Sequence, residues 1–151
     1  MSEPVLLIGV GNRYRRDDGA GLELIRRLKI QLTEGIDAME SDGEGTSLME
    51  GWLGRKTVFL FDAVNSRRCP GTIHRVDPNA QVIRTGYFRC STHDFGVAEA
   101  IELARTFNEL PSKLIIYGIE GKDFSEGQGL SREVEMALGD LAAELARVLT
   151  K

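Results

Sequence analysis

One stretch near the start of the chain restricts the fold more than any other. An apolar run, Val5-Leu6-Leu7-Ile8, leads directly into Gly9-Val10-Gly11-Asn12-Arg13-Tyr14-Arg15-Arg16-Asp17-Asp18-Gly19-Ala20-Gly21. Leu22, Ile25, Leu28 and Leu32 follow at the spacing of one helical face. A short buried strand, a glycine-rich loop and an amphipathic helix, in that order, are the opening of a parallel α/β unit. In such sheets, sites form in the loops at the carboxyl ends of the strands. Two adjacent carboxylates stand in this loop. Solvated, they would serve as an ordinary turn and helix start, with Asp17 as a cap for the first helix. In a cleft they would repel each other unless a proton or a cation came between them.

The rest of the chain repeats the alternation. A helix over Gly19 to Leu32 is followed by a short strand over Ile36 to Met39 and a second glycine-rich acidic loop, Ser41-Asp42-Gly43-Glu44-Gly45-Thr46. Ser47 and Glu50 have capping-box spacing, which predicts a short helix through Met49, Trp52 and Leu53. Thr57-Val58-Phe59-Leu60-Phe61 is apolar throughout, as in a central strand covered on both faces, and Asp62 is expected where that strand surfaces. Thr72 to Val76 alternates like an edge strand, and Val82 to Cys90, with Tyr87 and Phe88, reads as a loop. Ser91 or Thr92 is expected to cap a helix whose inward face is Val97, Ala100, Ile101, Ala104 and Phe107. Lys113 to Ile119 is another buried strand, with Glu120 opening a polar loop behind it, and Val134, Leu138, Leu141 and Leu145 mark the last helix. The predicted architecture is a single domain over residues 1–151, a three-layer α/β/α fold with a mostly parallel twisted sheet and one antiparallel edge strand.

Composition narrows the function classes. With 19 basic and 23 acidic residues the net charge is -4, which disfavours non-specific nucleic-acid binding. Two cysteines, Cys69 and Cys90, make neither a disulfide framework nor a metal-type spacing. The sequence shows no secretory pattern and no apolar run near membrane-spanning length, so a cytoplasmic protein without membrane attachment is expected, and a monomer.

If the elements hold, Asp17, Asp18, Asp42, Asp62, His93 and Glu120 share one edge of the sheet. Three chemistries fit that set. Asp18, Asp62 and His93, one from each of three strand-end loops, could meet at a zinc, nickel or related divalent ion. Gly9-Val10-Gly11 could begin a dinucleotide-binding turn, although Tyr14 stands where the third glycine belongs and the acids at the loop's end would repel a pyrophosphate. Asp17, Asp18 and Asp62 with Lys122 could form a magnesium-binding phosphoreceiver, a scheme that gives His93 no role. No G-x-S-x-G elbow and no H-E-x-x-H is present.

Taken together, Gly9-Val10-Gly11-Asn12 with Asp17-Asp18-Gly19-Ala20-Gly21, Asp42-Gly43 with Gly45-Thr46, Phe61-Asp62-Ala63, and Ser91-Thr92-His93-Asp94-Phe95-Gly96 resemble the loops of the hydrogenase maturation endopeptidases. These are nickel-dependent processing proteases of nickel–iron hydrogenase large subunits. The resemblance covers nearly the whole chain. It implies that Asp18, Asp62 and His93 are at once the catalytic and the nickel-recognising residues, with Asp42, Asp17 and Asn12 in support. It implies an immature large subunit as partner, with nickel carried by that substrate and a free enzyme that holds no metal. The reaction would be removal of a C-terminal extension by water attack assisted by an Asp. Glu44 is a departure, an extra carboxylate where the family's second loop usually runs Asp-Gly-Gly-Thr. A non-enzymatic metallochaperone or binding protein is the alternative of another class.

Overall fold

The structure, a computed structural model, describes residues 4–31, 35–83 and 95–149. Five strands form one sheet: β1 (Val5–Val10), β2 (Ile36–Ser41), β3 (Thr57–Val64), β4 (Ile73–Val76) and β5 (Lys113–Glu120). Four helices flank it: α1 (Ala20–Gln31), α2 (Gly45–Trp52), α3 (Val97–Thr106) and α4 (Arg132–Leu149). The order across the sheet is β2-β1-β3-β5-β4. Pairings β1–β2, β1–β3 and β3–β5 are parallel, and β4 runs antiparallel to β5 at the edge. The three-layer fold expected from the alternation is the observed one, including its antiparallel edge.

The two-residue period of a strand divides the core into two layers. Leu6, Ile8, Val58, Leu60, Val64, Leu114 and Ile116 face α2 and α3 and pack on Leu48, Trp52, Val97 and Ile101. Leu7, Phe59, Phe61, Ala63 and Ile119 face α1 and α4 and pack on Leu24, Ile25, Leu28, Leu138 and Leu141. Central strands are therefore apolar on both faces, which is why β1, β3 and β5 read as continuous runs. Each fully buried Leu or Ile contributes about 2 kcal/mol of transfer free energy relative to exposure. Edge strand β2 instead leaves Asp37 and Glu40 in solvent, and β4 is only four residues long. Charges and brevity at the edges discourage pairing with another chain. Among the described residues no helix is long and apolar enough to cross a membrane.

Several boundaries differ from the sequence-based expectation. β3 runs past Phe61 to Val64, because Asp62, Ala63 and Val64 continue the ladder with Gly118, Ile119 and Glu120. Asp62 and Glu120 thus stand inside strands, and neither opens a loop. Helix α2 begins at Gly45, and its cap is Glu44, not Ser47 with Glu50. Helix α3 begins at Val97, with the Glu99 carboxylate accepting from the Gly96 amide at 2.9 Å. A cap at Ser91 or Thr92 falls outside the described residues, and it would lie too far upstream of that start.

Asp17 has a different job from the one expected. It sits in a 3-10 turn, Arg16–Gly19, that precedes α1, and it is fully buried. Its carboxylate accepts from the Lys122 amide (2.8 Å), the Asp123 amide (3.0 Å), the Ser131 amide (2.7 Å) and the Ser131 hydroxyl (2.9 Å). It is a clamp on the β5–α4 connection, not a cap for α1. Removing it would leave three part-buried amides without this partner, each at a cost of about 1 kcal/mol, the low end of the penalty for an unmet donor. Asp17→Ala should therefore lower the unfolding free energy by roughly 3 kcal/mol or more in denaturant titration. Asp17→Asn, which keeps one carbonyl acceptor, should lose less. An unchanged midpoint for Asp17→Ala would contradict the clamp.

Candidate functional site

The loop after β1 folds back on itself, and its glycines are what permit it. Gly11 has φ +152°, and a Cβ there would lie 1.9 Å from the Asp18 carbonyl oxygen. A Cβ on Gly21 would lie 2.3 Å from the Phe61 carbonyl oxygen, so α1 can start directly against β3. The Asn12 amide donates to the Asp18 carbonyl at 3.2 Å, and the Asp18 amide donates to the Arg15 carbonyl at 3.0 Å. Asn12 also accepts the Tyr14 amide on its side-chain oxygen at 2.9 Å. Asn12 thus shapes the loop from within. The space that a pyrophosphate would need beside Gly11 is filled by the chain's own backbone, which argues against the dinucleotide reading.

The outcome is a buried Asp18, 4% exposed, next to a buried Asp62, 2% exposed. Asp62 occupies a position in the row Val58, Leu60, Asp62, Val64, so it faces the layer of α2 and α3 from among apolar neighbours. Burial raises the Asp18 pKa to about 6, against the opposing pull of the Arg15 guanidinium and the Asn12 amide. Arg15 Nη1 lies 3.9 Å from Asp18 Oδ2. Burial also raises Asp62 well above the usual carboxylate range, and the negative charge of Asp18 raises it further, opposed by the Ala63 amide. The charge of Asp18 therefore makes Asp62 the harder of the two to ionise.

The remaining expected site residues fall in three groups. Asp42 lies just beyond β2, exposed, where it accepts the Glu44 amide at 3.1 Å. Glu44, the extra carboxylate of that loop, accepts from the Thr46 amide (2.7 Å) and the Ser47 amide (3.1 Å). Those donors hold its carboxyl below the usual range and account for it as a helix cap. Lys122 turns away from the acids: its ammonium pairs with Glu133 on α4 at 2.8 Å. The phosphoreceiver scheme needs that ammonium beside Asp18 and Asp62, so the geometry disfavours it. His93, with Tyr87, Phe88 and Cys90, lies outside the described residues. The residue two positions after His93, Phe95, is fastened to the start of α2: its carbonyl accepts the Gly45 amide at 2.8 Å, and its ring fills the space of a Gly45 side chain. Among the described residues no group of three His, Cys, Asp or Glu side chains is arranged to hold a metal.

The sequence placed Glu120 on this edge but gave it no role, and the structure makes it one of four buried acids among the described residues, with Asp17, Asp18 and Asp62. Glu120 is fully buried and accepts the Ser66 amide (2.8 Å), the Ser66 hydroxyl (2.5 Å) and a contact from His74 Nε2 (3.0 Å). Its signal was available: like Asp62, it is an acid at the carboxyl end of a long apolar run.

A model of the family described as hydrogenase maturation protease matches residues 23–148. This chain belongs to that family. Among curated relatives, it is similar to the hydrogenase expression/formation protein HoxM of Azotobacter vinelandii, 26% identical over 136 residues, which cover 88% of this chain and 66% of that protein. It is also similar to the hydrogenase 2 maturation protease of Escherichia coli strain K12, 25% identical over 135 residues, which cover 87% of this chain and 81% of the relative. The chain thus spans just under two thirds of the HoxM relative and more of the shorter family member. Among solved structures, the fold matches the hydrogenase maturating endopeptidase HybD from E. coli with a TM-score of 0.80 at 21% identity, covering 97% and 92% of the two chains. It matches the [NiFe] hydrogenase maturation protease HycI from Thermococcus kodakarensis with a TM-score of 0.74 at 20% identity, covering 98% and 93%. The fold of this family member is therefore the fold of those proteins.

A carboxyl whose pKa is raised in the folded state binds its proton more tightly there than in the unfolded chain. Stability then falls as pH climbs from the ordinary Asp value toward the folded value, and stays low above it. For Asp18 the window runs from 3.8 to about 6. Asp18→Asn should match wild type in melting temperature near the bottom of that window and exceed it by several degrees above the top. Differential scanning calorimetry across the window checks this. A variant less stable than wild type above pH 6 would show that the Asp18 carboxylate supports the fold.

Proposed function

We propose that this chain is the endopeptidase that removes the C-terminal extension of a nickel-loaded hydrogenase large-subunit precursor. The observation that carries the reading is the buried Asp18–Asp62 pair at the carboxyl edge of a parallel sheet, in a chain of the hydrogenase maturation protease family. Two adjacent buried acids, both with raised pKa and one raised further by the charge of the other, form a poor structural element and a good receiver for a cation. Asp18 and Asp62 would supply oxygen ligands and His93 a nitrogen ligand, a donor set that suits borderline first-row divalent ions such as nickel.

Nickel enters as cargo of the substrate, so the free enzyme holds no metal of its own. The acids bind the nickel-bearing end of the precursor and thereby fix where the scissile peptide lies. Orientation of that kind is worth several orders of magnitude in rate. Asp18, ionised above about pH 6, receives the cation first. Asp62 gives up its proton as positive charge arrives. A water attacks the peptide carbonyl with the assistance of one of these acids. Asp42, at the end of β2, and Asn12, within the first loop, support the same edge. The partner is the immature large subunit. Neither nucleic acid nor membrane has a part, and the enzyme works as a cytoplasmic monomer.

Intact-mass measurement of the precursor tests the function. Wild type should shorten the nickel-loaded precursor and leave the nickel-free precursor and casein uncut. His93→Ala should abolish processing with its melting curve unchanged. Equal cleavage of the nickel-free precursor would overturn recognition through nickel. Tight, nickel-dependent binding with no mass loss would favour the metallochaperone role instead. Each carboxyl must lose its proton to ligate, so kcat/KM should fall as pH drops, and by a further tenfold per pH unit once pH is below about 6, where Asp18 takes its proton as well. A rate that stays level down to pH 5 would separate Asp18 from the chemistry.

A further inference from the structure

The connection between β5 and α4, residues 121–131, forms no strand or helix of its own, yet it is fastened to the first loop at its start, middle and end. The Asp17 carboxylate takes the two ends, at Lys122 and Asp123 and at Ser131. The Asp17 amide donates to the Asp123 carbonyl at 2.9 Å. In the middle, the Arg16 amide donates to the Gly127 carbonyl at 3.0 Å, and the Gly127 amide donates to the Tyr14 carbonyl at 2.9 Å. These two bonds make a short parallel bridge between Arg15 and Gly127. Arg16 adds its side chain to the same seat. Its Nη1 donates to the Gln128 carbonyl at 3.3 Å, and its Nε lies 3.7 Å from an Asp123 carboxylate oxygen.

The seat leaves little room. Gly127 has φ +131°, and a Cβ there would lie 2.8 Å from Arg16 Nη2. An alanine would strain this backbone and push the guanidinium out of place. Arg16 itself has φ +45°, a conformation that holds only while its surroundings enforce it. Asp18 stands two residues further on. Its own amide bonds to the Arg15 carbonyl and its carbonyl accepts the Asn12 amide, so both bonds stay inside the first loop. The turn that carries Asp18 is thus placed from outside by the connection on which Tyr14, Arg16 and Asp17 rest.

We infer that the β5–α4 connection is a positioning device for Asp18, with Gly127 and Arg16 as its positioning residues, a reading that rests on the proposed role of Asp18 toward the nickel-bearing substrate. A carboxylate on a loose turn would have to be ordered each time the precursor bound, and that ordering would weaken binding. The latch orders the turn beforehand. A ligand atom must also sit within about half an ångström of its productive place, and a turn held by backbone bonds on both sides meets that demand better than a free loop.

Calorimetric binding of nickel-loaded and nickel-free precursor to the same variants reads the effect. Gly127→Ala should weaken binding of the nickel-loaded precursor at least about tenfold and leave that of the nickel-free precursor within about twofold, because only the former meets Asp18. Asp18→Asn should show the same pattern. Joining the two substitutions should add less than about twofold to the larger single effect, since a carboxylate already absent cannot be misplaced. Arg16→Ala leaves the backbone bridge intact and should show a smaller loss of the same kind, with Arg16→Lys recovering part of it; this pair carries the same comparison if Gly127→Ala does not fold. An equal loss with both precursors would make the latch a support for the fold alone and overturn the positioning role. Wild-type affinity for the nickel-loaded precursor in Gly127→Ala would overturn it too, and would leave the proposed function standing. Wild type that binds both precursors equally would overturn recognition through nickel and this inference together.

Discussion

The mutual burial of Asp18 and Asp62 is the constraint around which this structure is arranged. A carboxylate inside a protein is expensive, and two together are more so, because each opposes the charge of the other. Nothing in the core requires them. Val or Leu at position 62 would continue the apolar row of β3, and the neighbouring positions 60 and 64 show that the layer accepts such side chains. The pair is tolerated as long as a proton stays on one member, the state that burial favours.

Much of the surrounding backbone exists to hold that pair. Gly11 and Gly21 let the first loop and α1 close to within contact of β1 and β3, so that Asp18 reaches inward instead of into solvent. Asp17, one residue earlier, turns the other way and ties the β5–α4 connection to the same 3-10 turn. Adjacent acids thus differ in environment: Asp17 is saturated with four donors and structural, whereas Asp18 is buried beside Asp62 with its pKa raised to about 6. Glu120 repeats the first role two strands along from β1, where it fixes the turn that follows β3.

The architecture was legible from the sequence because it rests on hydrophobic period. The apolar runs of β1, β3 and β5 and the helical spacing of α1 and α4 allow few other arrangements, and the alternating Thr72 to Val76 run found its place as the antiparallel edge. Asp18 and Asp62 were legible as candidates because acids beside buried strands stand out. What the sequence did not reveal was how far each strand extends. Strand ends depend on register with neighbours, so Asp62 and Glu120 were read as loop openers when the β3–β5 ladder carries both inside. Side-chain competition for amides was equally hidden. Glu44 displaced Ser47 as the α2 cap because its longer side chain reaches both Thr46 and Ser47, and Asp17 found backbone donors more than a hundred residues away. Such long-range partners leave no mark on local spacing.

The central claim is electrostatic: Asp62 keeps its proton because it is buried and because Asp18 is beside it. The direct measurement is a carboxyl-carbon NMR titration of selectively labelled wild type and of Asp18→Asn. The expected result is an Asp18 midpoint near 6 and an Asp62 midpoint raised well above the ordinary 3.8, moving down once Asp18 is neutral. Two carboxyls titrating independently near the ordinary value of 3.8, with no change at Asp62 in the variant, would contradict it.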